Sequence, residues 1–92
     1  MTVHVRFWAA AKAAAGVAQE TYEPQATLAD LIEAMSTRHG ESGRLVEVLG
    51  RCSYLVDELS PGRRSPHDVP LPQDCVVDVL PPFAGGSEAG AR

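Results

Sequence analysis

The sequence predicts an α+β domain in which one main helix packs across a sheet. Three patterns carry this prediction: strand-like alternation at the N-terminus, one amphipathic helix in the first half, and a strongly apolar strand near the C-terminus. Elements in the order strand, strand, helix and further strands suit a sheet whose main helix covers one face. With 92 residues, the chain is long enough for one small domain.

The N-terminal residues predict a strand followed by a short helix. Residues 1–8 alternate between apolar and polar side chains, which is the period of a half-buried strand. The alanine-rich stretch 9–15 favours a helix, and Gly16 can end it in the left-handed conformation. A second strand is predicted over residues 17–23. The side chains expected on the buried face of the first strand are Val3, Val5 and Phe7.

The clearest element is an amphipathic helix that begins after Thr27. Thr27 is a good N-cap, and Asp30 places an acidic side chain in the first turn. Apolar residues follow at the i, i+3, i+4 and i+7 spacing that puts them on one helix face, which we expect to lie on the sheet. This stripe comprises Leu28, Leu31, Ile32 and Met35, and the helix is expected to stop near His39 and Gly40.

The C-terminal half predicts weaker elements and then one strong strand. Residues 41–50 are expected to be helical or irregular, and residues 52–56 are expected to form a strand. Residues 76–80 are an apolar run that only Asp78 interrupts, and a strand that is apolar on both faces is usually central in its sheet. The side chains of the weak segment that are expected to point inward are Leu45, Val48 and Leu49.

Composition and charge argue against several kinds of function. A formal net charge of -4 argues against a nucleic-acid partner, because phosphate contacts need a positive surface. The N-terminus has neither the pattern of a signal peptide nor that of a membrane span, so we expect a cytoplasmic protein without a membrane partner. Cys52 and Cys75 are expected to be reduced. No metal site is predicted, because the histidines share no ligand spacing; they are His4, His39 and His67.

Residues 80–86 form the most distinctive stretch of the sequence. Its two prolines favour an extended arm that continues out of the last strand. One aromatic side chain, Phe83, is followed only by small residues, and two glycines leave the tip without side chains. Such an arm suits insertion into another protein, although a disordered tail can also be rich in glycine and proline. The stretch reads Leu80-Pro81-Pro82-Phe83-Ala84-Gly85-Gly86.

Three motifs together indicate a family. The first motif is Phe7-Trp8-Ala9, followed by Lys12 and Gly16. The second motif is Thr27-Leu28 with Leu31. The third and most specific motif is the ending Asp78-Val79-Leu80-Pro81-Pro82-Phe83-Ala84-Gly85-Gly86. In these motifs the chain resembles the MoaD/ThiS family of ubiquitin-like sulfur carriers, and most closely its molybdopterin synthase branch. The resemblance implies a β-grasp (ubiquitin-like) fold, with a mixed sheet, one main helix packed across it and a flexible C-terminal Gly-Gly arm.

The resemblance also implies what the arm does. In the family an E1-like (MoeB-like) enzyme adenylates the terminal glycine carboxylate with ATP, and a sulfur donor, a cysteine desulfurase or a rhodanese, then converts it to a thiocarboxylate. That glycine is Gly86 here. The large (MoaE-like) subunit accepts the arm, and the sulfur passes to cyclic pyranopterin monophosphate during molybdenum cofactor biosynthesis. The chain would be a carrier subunit that is not catalytic alone and binds no cofactor. The residues expected to meet the partners are Phe7, Pro81, Pro82, Phe83, Ala84 and Gly85.

Six further residues, 87–92, follow Gly86, although the family's carriers normally end at this glycine. The Gly86 carbonyl is therefore part of an amide, and we expect a peptidase to remove the extension before activation. The predicted organisation is a β-grasp domain over residues 1–80, an arm over 81–86 and a disordered extension over 87–92. The alternatives are a sulfur carrier for another pathway (thiamine, cysteine or a secondary metabolite), a ubiquitin-like protein modifier, or a binding module that retains its tail.

Overall fold

Four strands form one mixed sheet in the part of the chain that the structure describes. The structure is a computed structural model that describes residues 2–40 and 43–81. The strand order is β2-β1-β4-β3, with β1 antiparallel to β2, parallel to β4, and β4 antiparallel to β3. The last strand is therefore interior, as its apolar sequence predicts. The strands are β1 (Val3–Phe7), β2 (Gln19–Tyr22), β3 (Ser53–Val56) and β4 (Val76–Leu80).

Three α-helices connect these strands, and two of them have the predicted caps. Gly16 ends the first helix with a φ of 83°, in the left-handed region that glycine adopts at little cost. The hydroxyl oxygen of Thr27 accepts a hydrogen bond from the Asp30 N–H at 3.2 Å, which caps the second helix. The helices are α1 (Ala9–Ala15), α2 (Leu28–His39) and α3 (Arg44–Leu49), and a 3-10 helix spans Pro66–Asp68.

The core lies between α2 and one face of the sheet. Three members of the predicted helix stripe are buried, and they pack with the inward-facing residues of β1 and β4. Burial of each large aliphatic side chain contributes about 1.5–3 kcal/mol, so this stripe supplies much of the stability of the fold. Helix α3 adds two buried leucines, whereas Val48 is only partly buried. The buried apolar side chains of the described residues are Val3, Val5, Phe7, Ala11, Tyr22, Leu28, Leu31, Met35, Leu45, Leu49, Val69, Cys75, Val77 and Val79.

This arrangement is the β-grasp fold that the resemblance implies. The first and last strands lie side by side and parallel in the middle of the sheet, and α2 crosses one face. In the described ranges, no helix is both long enough and apolar enough to span a membrane. The predicted arm beyond Pro81 and the extension 87–92 lie outside the described residues.

Candidate functional site

A half-buried ion pair lies at the centre of the sheet face that points away from α2. The parallel register of β1 and β4 places Arg6 beside Asp78. Arg6 donates from Nε and Nη2 to the two carboxylate oxygens of Asp78, at 2.6 and 2.9 Å. Asp78 is only 3% exposed, whereas the Arg6 side chain is 41% exposed. This bidentate geometry is the strong form of an ion pair and fixes the direction of both side chains.

Trp8 completes this cluster from the start of α1. Its indole Nε1–H donates to Asp78 Oδ1 at 2.8 Å, so the carboxylate accepts three hydrogen bonds in all. The guanidinium carbon of Arg6 lies 5.7 Å from the centre of the indole ring, within the range of a cation–π contact. Even so, Trp8 is 47% exposed. We call Arg6, Trp8 and Asp78 the open-face cluster.

The contacts within the open-face cluster keep the Asp78 carboxylate ionised. The hydrogen bond from Arg6 is the main cause that lowers the pKa of Asp78 from its ordinary value of 3.8; burial opposes this shift, and the Trp8 N–H supports it. The same pairing raises the pKa of Arg6. Neither group therefore exchanges its proton near neutral pH. The cluster can orient side chains, but it is not built for acid–base chemistry.

An open depression of about 430 Å³ lies beside the cluster. Besides the three cluster residues, its lining consists of Leu55, Leu80 and the acidic side chain of Glu58. Leu80 is the last residue of β4, so the predicted arm begins at the edge of this depression. Leu80, the last residue before the predicted arm, therefore lies in the same surface region as the open-face cluster.

The structure corrects the expected role of Phe7. The resemblance implies that this residue meets the partners, but its side chain is 2% exposed and belongs to the core. Its ring meets that of His39 edge-on, with 6.2 Å between the ring centres. The reason is the alternation of β1, which turns Phe7 toward α2 together with the other inward-facing residues of this strand. The exposed aromatic side chain at this end of β1 is that of Trp8.

The remaining predicted site residues lie at the end of the described chain or beyond it. Pro81 is the last described residue and is buried. The others lie outside the described residues, and their roles remain predictions; they are Pro82, Phe83, Ala84, Gly85 and Gly86.

The sequence-based interpretation missed the open-face cluster. One signal was present, since the alternation that turns Phe7 inward turns Arg6 to the opposite face. A second signal is Asp78, the only carboxylate in β4, because a charged side chain within an apolar strand needs a partner of opposite charge. Their pairing requires the register between β1 and β4, which local sequence patterns do not contain.

Side chains elsewhere in the described part of the chain offer little reactivity. Burial raises the pKa of Cys52 to about 11 and also raises that of Cys75, so both are protonated thiols at neutral pH, and neither forms a disulfide. Within the described ranges, no three metal-binding side chains cluster. Near the end of α2, the Glu20 carboxylate accepts hydrogen bonds from Tyr22 Oη at 2.8 Å and His39 Nε2 at 2.9 Å, which ties β2 to this helix.

The fold and the position of its last strand define a small ubiquitin-like protein. The sequence matches the model of the ThiS family over residues 5–86, which is most of the chain. The protein therefore belongs to the ThiS family. No curated protein sequence matches it.

Solved structures with the same fold include a subunit of a molybdopterin-converting factor and a small archaeal modifier protein. A chain in the complex of subunits 1 and 2 of the molybdopterin-converting factor from Helicobacter pylori is 27% identical; the match covers 94% of this chain and 100% of that one, with a TM-score of 0.65. The small archaeal modifier protein 1 of Methanosarcina acetivorans is 17% identical, with coverages of 92% and 96% and a TM-score of 0.76. Urm1 of Trypanosoma brucei is 14% identical, with coverages of 92% and 95% and a TM-score of 0.67.

Proposed function

We propose that this protein is a sulfur carrier and the small subunit of a molybdopterin synthase, with Gly86 as its reactive residue. The observation that carries this proposal is the extent of the family match, which runs from residue 5 and stops at Gly86. The matched region thus contains the Gly-Gly pair and leaves out the extension 87–92. A C-terminus at this glycine is what the proposed chemistry requires.

The chemistry follows from the weak reactivity of a carboxylate. A free carboxylate is a poor electrophile, so an E1-like enzyme transfers AMP from ATP to the Gly86 carboxylate and releases pyrophosphate. The outer sulfur of a persulfide on the donor then displaces AMP to give an acyl disulfide, and a thiol cleaves its S–S bond, which leaves a thiocarboxylate on Gly86 and a disulfide on the donor. A tip formed by Gly85 and Gly86 presents no side chain, which lets the same end enter the active sites of several enzymes. We place these steps in the cytoplasm, where ATP is supplied.

The acceptor is proposed to be the large subunit of the synthase. The Helicobacter pylori structure, in which subunits 1 and 2 of the molybdopterin-converting factor form a complex, supports this pairing by similarity. In this protein the interior strand β4 ends at Leu80, and the arm follows directly. The large subunit would receive the arm and pass its sulfur to cyclic pyranopterin monophosphate.

The extension after Gly86 has to be removed before this chemistry can begin. As long as Ser87 follows, the Gly86 carbonyl is part of a peptide bond and offers no carboxylate for adenylation. We therefore propose that a peptidase cleaves after Gly86. The protein would then act as three successive parts: a folded domain, an arm and a temporary extension.

Sulfur transfer in a reconstituted system tests the assignment of Gly86. The chain ending at Gly86 is mixed with its host's adenylating enzyme, ATP and a sulfur donor, and the intact mass reports whether sulfur replaces one carboxyl oxygen. We expect this exchange in the wild type and its loss in Gly86→Ala. The matched control is Gly50→Ala, because Gly50 has a φ of -64° and an added Cβ would meet nothing within 4 Å.

Three results would contradict the proposal in whole or in part. Sulfur loading of Gly86→Ala at the wild-type rate would remove Gly86 from the mechanism. Isopeptide adducts between Gly86 and lysines of other proteins, without any thiocarboxylate, would instead identify a ubiquitin-like modifier. A thiocarboxylate that reaches an acceptor other than the pyranopterin would keep the carrier function but assign it to another pathway.

A further inference from the structure

A second depression, of about 220 Å³, lies along the outer edge of β3, and we call it the edge pocket. It shares no lining residue with the depression beside the open-face cluster. Strand β3 is an edge strand of the described sheet, and the backbone N–H and C=O of Val56 point to its outer side, where both bind Leu59. Because these groups alternate in direction along a strand, those of Tyr54, which lines the edge pocket, point the same way. An extended segment can add to such an edge through main-chain hydrogen bonds.

Arg64 is the only charged side chain among the described residues that line the edge pocket. Its Nε donates to the Pro61 carbonyl at 3.0 Å, which anchors the guanidinium group to its own loop. Its two terminal nitrogens form no ion pair within 4.0 Å to any described carboxylate. A guanidinium group with donors available binds a carboxylate through charge-assisted hydrogen bonds. The edge pocket therefore suits a segment that carries an acidic side chain.

The described chain ends next to the edge pocket. In the antiparallel register of β3 and β4, Ser53 lies opposite Leu80, and Pro81 follows as the last described residue. The Cα atoms of opposite residues in such a pair are about 4.5–5.5 Å apart. Ser53 also lines the edge pocket. Residues 82–92 therefore leave the folded domain within about one strand spacing of this pocket.

The sequence after Pro81 contains a segment of matching length and charge. Gly85 and Gly86 form a pair that favours a two-residue hairpin turn. A turn there would send residues 87–89 back along residues 82–84 and bring Glu88 to a point two positions beyond Pro81. Glu88 is the only acidic residue after Pro81 in the sequence. The residues that follow it are small enough for a shallow pocket; they are Ala89, Gly90 and Ala91.

We propose that the extension folds back into the edge pocket, with Glu88 paired to Arg64 and residues 89–91 against the outer edge of β3. A contact of millimolar affinity is enough, because a short tether keeps the local concentration of the segment in the millimolar range. The docked extension holds the Gly86–Ser87 bond in a turn, so cleavage of this bond requires the docked state to open. Docking therefore controls how fast the extension is removed. This consequence rests on the proposed function, which requires that removal, whereas docking itself does not.

The first experiment measures the heteronuclear NOE of the backbone amides in the full chain, which reports how firmly each amide is held. In the wild type we expect residues 88–91 to approach the values of the folded domain. Arg64→Glu should lower these values, and a chain with both Arg64→Glu and Glu88→Arg should recover them. Arg63→Glu is the matched control, because it makes the same change of charge at an exposed neighbour that does not line the edge pocket.

These values can overturn the proposal in two ways. Low values for residues 88–91 in the wild type, or values that Arg64→Glu leaves unchanged, would show that the extension does not dock on Arg64. Failure of the doubly substituted chain to recover them would show that Glu88 is not its partner.

The second experiment uses Cys52, which lines the edge pocket, as a reporter of proximity. Ala91→Cys introduces a thiol in the proposed docked segment, and the full chain is oxidised with copper–phenanthroline. We expect a disulfide to Cys52 within one chain, seen as the loss of two hydrogens in the intact mass. It should form several times faster than in a chain that also carries Arg64→Glu. Equal rates would overturn docking, and a disulfide that joins two chains would place a second copy in the pocket and overturn it as well.

The third experiment tests the consequence for removal, with proteinase K as the probe and intact mass as the readout. We expect Arg64→Glu to lose the extension about fivefold faster than the wild type, the factor for a docked fraction of about four fifths. Arg63→Glu should match the wild type. Equal rates in all three chains would overturn the control of removal. A docked extension in a protein whose form ending at Gly86 takes up no sulfur would instead contradict the proposed function and leave the docking standing.

Discussion

Phe7 and Trp8 are neighbours in the chain, but their side chains serve opposite sides of the sheet. Phe7 is 2% exposed among the core residues, and Trp8 is 47% exposed beside the Arg6–Asp78 pair. The ring of Phe7 therefore contributes mainly to the stability of the core, whereas the ring of Trp8 forms part of an exposed surface.

Removal of the two rings should separate these roles. Phe7→Ala leaves a cavity in the core and should lower the free energy of unfolding by about 3–5 kcal/mol. Trp8→Ala removes one hydrogen bond and a half-exposed ring, and should cost about 1 kcal/mol or less. Urea denaturation followed by circular dichroism gives both values, and Phe7→Leu is a milder variant should Phe7→Ala not fold. Equal costs for the two alanine variants would contradict the placement of Phe7 in the core.

The Arg6–Asp78 pair should make stability depend on pH in the acid range. The pKa of Asp78 is lower in the folded protein than its ordinary value of 3.8. The carboxylate therefore contributes stability that is fully present above that value and is lost as the pH falls through the folded-state pKa. Urea denaturation from neutral to acid pH measures the free energy of unfolding of the wild type and of Asp78→Asn. Near neutral pH, the free energy of unfolding of the wild type should be higher by a constant amount. This difference should shrink below about pH 4.

Glu33→Gln is the control for this measurement, since Glu33 is an exposed carboxylate on α2. The free energy of unfolding of Glu33→Gln should stay close to that of the wild type across the whole pH range. A wild-type advantage over Asp78→Asn that is the same at acid and neutral pH would show that ionisation of Asp78 does not stabilise the fold.

The turn after β3 carries two side chains in a backbone conformation that favours glycine. Val56 and Leu59 exchange backbone hydrogen bonds of 2.9 and 3.0 Å across Asp57 and Glu58, whose φ angles are 50° and 71°. Positive φ at both central residues is the pattern of a type I′ hairpin turn, in which the second position favours glycine. Glu58 thus occupies a strained position at the rim of the depression.

Glycine at this position should stabilise the fold. We expect Glu58→Gly to raise the free energy of unfolding by about 1 kcal/mol, because a left-handed conformation is costly for residues with a Cβ. Glu58→Ala is the matched control: it also removes the carboxylate but keeps the Cβ, so it should give no such gain. A Glu58→Gly protein that is less stable than Glu58→Ala would contradict the assigned turn.

The cap of α2 should contribute measurably to stability as well. Thr27→Ala removes the oxygen that accepts the Asp30 N–H at 3.2 Å, and should cost about 1 kcal/mol in urea denaturation. Thr27→Ser keeps this oxygen and should recover most of the loss. If serine and alanine are equally destabilising, the hydroxyl does not act as a cap.

Element boundaries show how far local patterns can predict this fold. The spacing of apolar residues and the cap at Thr27 predict α2 almost residue by residue, because the caps and backbone hydrogen bonds that set the ends of a helix lie within its own segment. The predicted bounds of the strands are less exact. The sequence predicts β1 over residues 1–8, whereas it spans Val3–Phe7, and it predicts β2 over residues 17–23, whereas it spans Gln19–Tyr22. Strand ends depend on where the pairing partner stops, which is not a local property.

At the scale of the whole molecule, the sheet brings together residues that lie far apart in the sequence. Trp8 and Asp78 are separated by 70 positions, and only the parallel pairing of β1 with β4 makes them neighbours. No periodicity in the sequence contains that register, so the open-face cluster could not be predicted. The inward direction of Phe7, by contrast, is a local property, because the alternation of β1 already places it with Val3 and Val5.

The whole molecule joins a folded domain to the segment that carries its proposed chemistry. Strand β4 ends at Leu80, which both lines the depression and precedes the arm. The match to the ThiS family runs through the arm to Gly86. The central claim is therefore that this C-terminal glycine, once exposed, carries sulfur.

The most direct test is the intact mass of the untagged protein purified from its own host, with fragmentation of its C-terminus. We predict a species that ends at Gly86, in which sulfur replaces one oxygen of the terminal carboxylate. Detection of only the full chain through Arg92, in cells whose sulfur-transfer pathway is active, would contradict the carrier function. A binding module that retains its tail would then be the better account of this protein.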